Sequence, residues 1–314
     1  MEMLRQRVTL WSPSANTAAA RVARATGGAV RILAPGDTPA LQRLLAQDPA
    51  ANISVIASLR ARPDAGPGRG RGGPLVLAID GGGALSGPQD DPSELAAACW
   101  AGSNINPVGA DAAQAELFGV ALRALRRRAS SVYGEAEAVL ELYDATGWTH
   151  HREIRSEQPL MSITGPPAVS PLHGVRPSRA DEFPEVEPAC VAMFTEELGV
   201  SPYSQGAPQY RERIRGLIRA GHSLIHRDPG TGQITFKAEF GAVTREVIQI
   251  QGVWVHPQHR GRGLAAPGMA AVVLHGLKLA PTVTLYVNSY NTPALRTYRR
   301  VGFEQTSTFA TVLF

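Results

Sequence analysis

The chain has 314 residues, 44% of them hydrophobic and 18% charged, which is the composition of a globular protein. A net charge of +4 permits an anionic ligand without demanding a nucleic acid, and no apolar run is long enough to cross a membrane. The two cysteines, Cys99 and Cys190, have no nearby cysteine or histidine pair, which argues against a zinc site and against a disulfide framework.

The length predicts two domains of about 150 residues each. Residues 1–29 are rich in arginine and alanine and lack the apolar core of a secretory signal, so we interpret them as an N-terminal extension and expect a cytoplasmic protein. A proline-rich linker at residues 164–174 separates a first domain at 30–163 from a second domain at 175–314.

The first domain is predicted to contain a short strand at Val30-Arg31, a helix that ends near Arg60 and a strand from Pro74 to Ile79. The glycine- and proline-rich stretch between this helix and this strand includes Arg69-Gly70-Arg71-Gly72. Because a strand follows, no helix N-terminus lies behind this tetrapeptide, and we interpret it as a flexible connector. A contact with nucleic acid of the RGG type is the weaker alternative.

The ends of the two halves resemble each other. Tyr143 is followed by Gly147-Trp148, and Tyr298 is followed at the same spacing by Gly302-Phe303. A strand-like run precedes each helix, which suggests a diverged tandem repeat of one α/β unit. The alternative is coincidence, because glycine followed by an aromatic residue commonly ends a helix.

The tetrapeptide RGRG occurs a second time at residues 260–263. A predicted strand at 247–255 precedes it, and a helical run from Leu264 follows, with Pro267 in the first turn. A loop that holds phosphate needs convergent backbone N–H groups, room for the anion and a helix N-terminus behind it. Glycine supplies the unusual φ values and the room. The second copy therefore predicts a phosphate-binding loop.

In this context Gln258 to Ala265, QHRGRGLA, resembles the (Q/R)xxGx(G/A) loop of the GCN5-related N-acetyltransferase (GNAT) family. Residues 291–303, NTPALRTYRRVGF, are similar to the NxxAxxxYxxxGF helix of that family. The resemblance covers about residues 175–314. It implies an α/β fold with a mixed, mostly antiparallel central sheet flanked by helices, and the repeat extends this to tandem GNAT-like folds.

The whole chain further resembles actinobacterial two-domain GNAT proteins whose N-terminal half is a degenerate GNAT-like domain of unknown function. In the first half, the place of the loop is predicted between a strand at residues 96–100 and a helix that starts near Asp111. The intervening residues Gly102 to Ala110 contain no RGxG. We therefore expect the first half to have lost its phosphate-binding loop, and only the second RGRG to do chemistry.

The resemblance implies acetyl-CoA as a co-substrate, with its pantetheine arm between the family's fourth and fifth strands, here 247–255 and 282–288. Strand backbone would bond the arm, and loop N–H groups would bond the pyrophosphate. The residues assigned in this way to the cofactor are Val253, Trp254, Val255, Gln258, His259, Arg260, Gly261, Arg262, Gly263, Leu264, Ala265, Asn288 and Asn291.

The resemblance also implies direct transfer of an acetyl group to a primary amine, with Tyr298 as the acid that protonates the CoA thiolate. A phenol with a pKa of about 10 is protonated at neutral pH. The structural alternative is a tyrosine that packs beneath the sheet. Some family members carry a glutamate base on the fourth strand, where this chain has Gln249 and Gln251, neither of which can act as a base.

Lys237 and Glu239 share one face of a predicted strand at residues 233–242. Central strands covered by helices are ordinarily apolar, so these polar residues need an explanation. We hypothesise that Glu239 lines the acceptor site as a catalytic base or amine anchor, with Glu246 in reserve. The alternative is a Lys237–Glu239 pair on a solvated face.

The acceptor is expected to enter beside a helix at about residues 209–220, where Glu196, Glu197 and Tyr203 are candidates to contact a cationic amine. The amine belongs to a small molecule or a protein; neither a nucleic acid nor a membrane is expected as a partner, and the oligomeric state stays open. The alternative function is a non-catalytic acyl-CoA-binding sensor or interaction module. The arginines predicted to form a solvated helix face are Arg211, Arg213, Arg215 and Arg219.

The C-terminal residues 303–314 have room for one long strand or a tight pair of strands. Many relatives carry two strands at this place. We therefore expect the first half of the chain to complete the sheet of the second.

Overall fold

A computed structural model of the chain describes residues 13–70, 73–81 and 94–314. The described residues form two compact units. Unit 1 takes in the residues up to Asp48, Ser58–Ser156 and Phe309–Phe314, and unit 2 takes in Pro49–Ala57 and Glu157–Thr308. Arg71 and Gly72 of the first RGRG, and residues 1–12 of the predicted extension, lie outside the described residues.

Unit 1 is built on a sheet in which all neighbouring strands are antiparallel except β4 and β5, which are parallel. Its core joins Val22, Phe118, Leu122 and Val139. Its elements are α1 (Pro13–Ala25), β1 (Arg31–Ile32), α2 (Thr38–Leu45), part of α3 (Ile53–Ala61), β2 (Leu75–Asp80), β3 (Leu95–Ala101), β4 (Asn104–Val108), α4 (Ala112–Leu125), β5 (Ser131–Glu135), α5 (Ala136–Thr146) and the start of β6 (Glu153–Ile163).

Unit 2 is built on a sheet in the order β6-β11-β10-β9-β8-β7, in which only β10 and β11 are parallel. Helices cover both faces: Cys190 and Ile214 pack on one, and Met269 packs with Phe236 on the other. The elements after β6 are β7 (Arg176–Pro177), α6 (Phe183–Leu198), α7 (Ala207–Arg219), β8 (Ser223–Arg227), β9 (Ile234–Val243), β10 (Val247–Val255), α8 (Ala265–Gly276), β11 (Thr282–Tyr286), α9 (Thr292–Val301) and β12 (Glu304–Leu313).

The two units repeat one order of elements, which confirms the tandem arrangement inferred from the two Tyr-to-Gly spacings. Unit 1 runs β3-β4-α4-β5-α5-β6, and unit 2 runs β9-β10-α8-β11-α9-β12. In both, the helix after the fifth strand of the repeat ends on a left-handed glycine, Gly147 with φ +66° and Gly302 with φ +109°. Glycine adopts this conformation without the penalty that a Cβ brings.

The last strand, β12, is one long strand and is divided between the units. Its residues up to Thr308 belong to unit 2, while Phe309–Leu313 pair with β5 inside unit 1. In unit 1 the ring of Phe314 meets Trp148 at 5.2 Å between centroids. In unit 2, β6 pairs with β11, and this is the strand that we expected from the first half.

Two features of unit 1 differ from the sequence predictions. Gly102 to Ala110 was expected to hold a loop, but it contains strand β4, and the tight turn lies at Gly102 and Ser103. Strand β4 was missed because its sequence, NINPV, includes a proline and two asparagines, which are poor strand formers. Within the predicted extension, helix α1 buries Val22 completely. No helix among the described residues is long and apolar enough to span a membrane.

Candidate functional site

Strands β10 and β11 separate along their length. They pair from Val247 and Thr282 to Gln249 and Thr284, where the described pairing ends. Strand β10 nevertheless continues to Val255, and β11 continues to Tyr286. Parallel strands that part in this way leave backbone N–H and C=O groups facing a gap. Such an edge can bind an extended ligand through main-chain hydrogen bonds.

A β-bulge lies in the part of β10 beyond this pairing. Gln251 is opposite Glu239, and Trp254 is opposite Lys237, so two residues of β10 face one residue of β9. Gly252 adopts φ +58° at the bulge, and a Cβ there would lie 3.3 Å from the carboxyl carbon of Glu239. The left-handed conformation and the close approach together require glycine at this position.

The glycine-rich loop after β10 is open and leads into a helix without a side-chain cap. Gly261 and Gly263 have φ +72° and +77°, and a Cβ built on either meets no heavy atom within 4 Å beyond the adjoining residues. Leu264, the N-cap of α8, makes no side-chain capping hydrogen bond. The N–H groups of the first turn from Ala265 have no helical partner, so this end of α8 can receive an anion. This loop is the one that the sequence predicts to bind phosphate.

The corresponding connection in unit 1 is closed. Strand β4 ends at Val108 and α4 starts at Ala112, so only Gly109 to Asp111 join them. The Asp111 carboxylate accepts a hydrogen bond from the Gln114 backbone N–H at 2.8 Å, and the Gln114 side chain accepts one from the Asp111 backbone N–H at 3.0 Å. This capping box satisfies the helix N-terminus and places a negative charge where an anion would bind.

Two residues of the predicted cofactor site are tied to Glu196 of α6. Arg260 Nη2 lies 2.6 Å from Glu196 Oε2, and Trp254 Nε1 donates to Glu196 Oε1 at 3.2 Å. Arg260 Nε also donates to the Val255 carbonyl at 2.9 Å. Glu196, a candidate amine contact from the sequence, thus pairs with an arginine of the protein itself. Arg262 is exposed.

The other predicted cofactor residues lie on either side of the gap. Gln258 and His259 belong to a 3-10 turn before the glycine loop, and His256 caps that turn by accepting from the Gln258 N–H. On the β11 side, Asn291 caps α9 through a hydrogen bond from the Ala294 N–H at 3.3 Å. Asn288 accepts from Gln158 Nε2 at 2.8 Å and donates to the hydroxyl of the exposed Tyr290 at 2.8 Å.

Tyr298 lies in the core of unit 2 with 8% exposure, and its ring packs against Phe303. Burial raises the pKa of Tyr298, and the negative charge of Glu197 on α6 raises it further, so the phenol stays protonated at neutral pH. Among the described residues its hydroxyl has no hydrogen-bond partner. The equivalent Tyr143 of unit 1 differs, because its hydroxyl is bonded to His151 Nδ1 at 2.7 Å.

Lys237 and Glu239 form an ion pair in the interior of unit 2. Lys237 Nζ lies 2.7 Å from Glu239 Oε1, and the two side chains are 0% and 1% exposed. Arg213 Nη2 contacts the other carboxylate oxygen at 3.0 Å, and Lys237 Nζ also donates to the Gly252 carbonyl at 3.1 Å. Burial alone would raise the pKa of Glu239, but the charges of Lys237 and Arg213 outweigh it and lower the pKa to about 2.

This arrangement changes the interpretation of the polar face. The ion pair between Lys237 and Glu239, which we considered as an alternative, is present, but it lies on a buried face of the strand and not on a solvated one. Arg213, which we predicted to lie on a solvated helix face, contacts Glu239. A carboxylate with a pKa of about 2 accepts a proton poorly, which disfavours the role of base for Glu239. A glycine within a strand pattern, here Gly252, is a sequence signal for such a bulge.

The remaining candidates for an acceptor site are dispersed. Gln249 is 9% exposed and occupies the last parallel pair, at the closed end of the gap. Glu246 is exposed in the turn before β10. Tyr203 donates to Glu187 Oε1 at 2.6 Å. Of the acidic candidates, the structure brings Glu197 into electrostatic reach of Tyr298.

Comparisons with known proteins match parts of both halves of the chain. Residues 83–186 match the model of a domain of unknown function (DUF4081), and residues 197–303 match that of the acetyltransferase (GNAT) family. A curated mycothiol acetyltransferase from Cellulomonas flavigena is 37% identical over 100 residues, which are 31% of this chain and 26% of that protein. The chain thus matches about a quarter of the length of this relative.

Solved structures show the fold over most of the chain. A GCN5-related N-acetyltransferase from Sphaerobacter thermophilus superposes with a TM-score of 0.56 at 19% identity, covering 90% of this chain and 94% of that one. A GNAT-family acetyltransferase from Colwellia psychrerythraea gives a TM-score of 0.53 at 11% identity, covering 91% and 99%. The family resemblance and the fold class predicted from the sequence are confirmed.

Proposed function

We propose that this chain, whose residues 197–303 match the model of the acetyltransferase (GNAT) family, is an N-acetyltransferase that moves an acetyl group from acetyl-CoA directly to a primary amine of a small molecule or protein. One observation carries the proposal. The gap between β10 and β11 lies beside the loop that leads into the uncapped N-terminus of α8. These are the two places required by a thioester whose long arm is joined to a pyrophosphate.

The residues present fit acetyl-CoA. The backbone of Val253–Val255 would bond the pantetheine arm, and the N–H groups of Arg260–Ala265 would bond the pyrophosphate. Because the Trp254 indole is tied to Glu196, the contact of Trp254 with the cofactor would be made by its backbone. When bound, acetyl-CoA supplies the activated acyl group.

Tyr298 is the proposed acid. As the acceptor nitrogen bonds the acyl carbon and the C–S bond breaks, the nitrogen loses a proton to water and the departing thiolate takes a proton from the Tyr298 phenol, which is then reprotonated from water. The Tyr298 phenol is protonated and has no partner among the described residues, so it is available to donate. Glu197 lies close enough to affect this phenol, and we propose that its charge attracts the amine.

Neither Gln249 nor Glu239 supplies a strong base, and this bears on the kind of amine that the site accepts. Gln249 cannot accept the proton of an ammonium group. The buried carboxylate of Glu239 is already paired with Lys237 and Arg213, which lower its pKa to about 2 and make it a poor base. An α-amino group, with a pKa of about 8, is uncharged in roughly one molecule in ten at pH 7, whereas a lysine is almost wholly protonated. This favours α-amino acceptors over lysine side chains.

We further propose that the chain binds one equivalent of acetyl-CoA, because the capping box of Asp111 and Gln114 closes the corresponding place in unit 1. The second candidate function, a non-catalytic acyl-CoA sensor, is favoured by one observation, the glutamine at position 249. The two functions share the binding site and differ in turnover.

Calorimetric titration of acetyl-CoA into the wild type and into a Gly261→Glu/Gly263→Glu variant tests the proposal. We expect one equivalent to bind the wild type and none to bind the variant, because two carboxylates in the loop repel the pyrophosphate. Gly165→Glu is the matched control, because Gly165 also has open space around it but lies in the predicted linker. Two equivalents would show that unit 1 binds, and no binding by the wild type would overturn the proposal.

An acceptor screen follows, with release of CoA as the readout and Tyr298→Phe as the variant that should bind acetyl-CoA yet turn over slowly. The panel compares α-amino peptides, lysine side chains and small amines, including mycothiol-related amines because of the curated relative. Longer acyl-CoA donors are tested against acetyl-CoA. Binding without turnover on any acceptor would favour the sensor.

A further inference from the structure

The buried ammonium of Lys237 contacts the backbone at the β10 bulge. Its Nζ donates to the Gly252 carbonyl at 3.1 Å and to Glu239 Oε1 at 2.7 Å. A lysine that is 0% exposed is costly, because its charge is removed from water. A position in a covered sheet would ordinarily be apolar. The side chain therefore has a purpose that an apolar residue would not serve.

The contact determines the direction of one peptide group. The Gly252 carbonyl accepts from Lys237 Nζ, so it points to the buried place where this ammonium also meets Glu239. In a trans peptide the carbonyl and the following N–H point in opposite directions. The N–H of Val253 is therefore directed away from the Lys237 ammonium, and Val253 lies in the part of β10 beyond its last pair with β11 at Gln249.

At the bulge, the orientation of the Gly252–Val253 peptide is not fixed by regular strand pairing. The bulge leaves Gly252 and Val253 outside the regular ladder between Gln251 and Trp254, so strand pairing alone does not fix their peptide plane. Gly252, with φ +58°, is also the residue type with the fewest backbone restrictions. The hydrogen bond from Lys237 restrains the Gly252–Val253 peptide. The carboxylate of Glu239 neutralises the Lys237 ammonium, and Arg213 contacts the second oxygen of that carboxylate.

We propose that Lys237 is a positioning residue that holds the Gly252–Val253 peptide so that the Val253 N–H faces the acyl-pantetheine arm in the gap. The inference rests on the proposed function for the identity of the ligand. The orientation of the peptide in the free protein is independent of that function.

The first test compares two ligands in calorimetry. Acetyl-CoA reaches the gap, whereas adenosine 3′,5′-bisphosphate lacks the pantetheine arm. In Lys237→Met we expect acetyl-CoA to bind about tenfold more weakly, because one backbone donor, the Val253 N–H, would no longer face the ligand. The bisphosphate should bind within twofold of wild type. Glu239→Gln retains the ammonium and its bond to Gly252, so it should lose much less affinity.

The double variant Lys237→Met/Glu239→Met controls for a folding defect in Lys237→Met. Replacing both buried charges by apolar residues of similar volume is often neutral for stability. This variant also lacks the ammonium, so it should show the same selective loss for acetyl-CoA. An equal loss for both ligands, or no loss in either variant that lacks the ammonium, would overturn the proposal.

The second test does not need a ligand. Labelling with [1-¹³C]glycine and [¹⁵N]valine gives signals from four Gly–Val peptides, Gly119-Val120, Gly174-Val175, Gly199-Val200 and Gly252-Val253. Val253→Ile identifies the signal of interest. Lys237→Met should move that signal and leave the other three in place, and Glu239→Gln should move it less. If the wild type fails to bind acetyl-CoA, the proposed function fails while this signal still decides the role of Lys237; an unmoved signal refutes it.

Discussion

Replacing Lys237 by methionine is expected to destabilise unit 2 by about 3 kcal/mol. Removing one partner of a buried ion pair costs about 3–5 kcal/mol, because the other charge remains in the interior. The lower end applies because Arg213 remains 3.0 Å from the Glu239 carboxylate.

Replacing Glu239 by methionine is expected to cost more, about 4–5 kcal/mol. Lys237 is 0% exposed and would lose the one carboxylate within 4 Å of its ammonium among the described residues. The double variant should lie within about 2 kcal/mol of wild type, because neither charge is then left unpaired in the interior. The two single costs should therefore be far from additive.

Hydrogen-exchange mass spectrometry measures these costs where they arise. Peptides from β9 and β10 report the opening of unit 2, and peptides from β2 and β3 of unit 1 serve as the internal control. Additive costs would refute the reasoning, because they would mean that the two charges do not interact. A loss of protection confined to unit 1 would refute the placement of the pair.

Three further outcomes are expected. Because the folded-state pKa of Glu239 lies below its ordinary value, its contribution to stability is present above about pH 4.5 and is lost as the pH falls toward 2; acid unfolding of Glu239→Gln should lack this dependence. Val312→Ala, at a position that is 0% exposed, should cost about 2 kcal/mol in unit 1 by hydrogen exchange, and a loss in unit 2 instead would contradict the division of β12. Once an acceptor is known, kcat should not fall through ionisation of Tyr298 below about pH 10. A fall in kcat below that pH that is absent in Tyr298→Phe would refute the raised pKa.

The fold of unit 2 followed largely from local sequence signals. The alternation and β-branched residues of residues 247–255 predicted β10 with the bounds that the structure shows. The proline and glycines after it predicted the loop and the start of α8 near Ala265. These signals act over a few residues, which is why a single sequence contains them.

The arrangement at the bulge could not be predicted in the same way. Lys237 and Glu239 were visible as polar residues on one strand face, but their burial depends on α6 and α7, far away in the chain. The contact of Arg213 with Glu239 joins residues from α7 and β9, and an arginine on an amphipathic helix ordinarily indicates a solvated face. Strand β4 was missed for the opposite reason, because tertiary pairing overrode a poor local propensity.

The two units share an order of elements but differ at the place of the predicted anion site. In unit 1 the connection after β4 is short and Asp111 caps α4, whereas in unit 2 a glycine loop precedes an uncapped α8. Retention of unit 1 does not require a second site. The last residues of β12 complete its sheet by pairing with β5, and β6, which begins in unit 1, supplies the partner of β11 in unit 2. A chain cut at the linker would leave β11 without β6, on the strand that forms one wall of the proposed acyl-CoA gap.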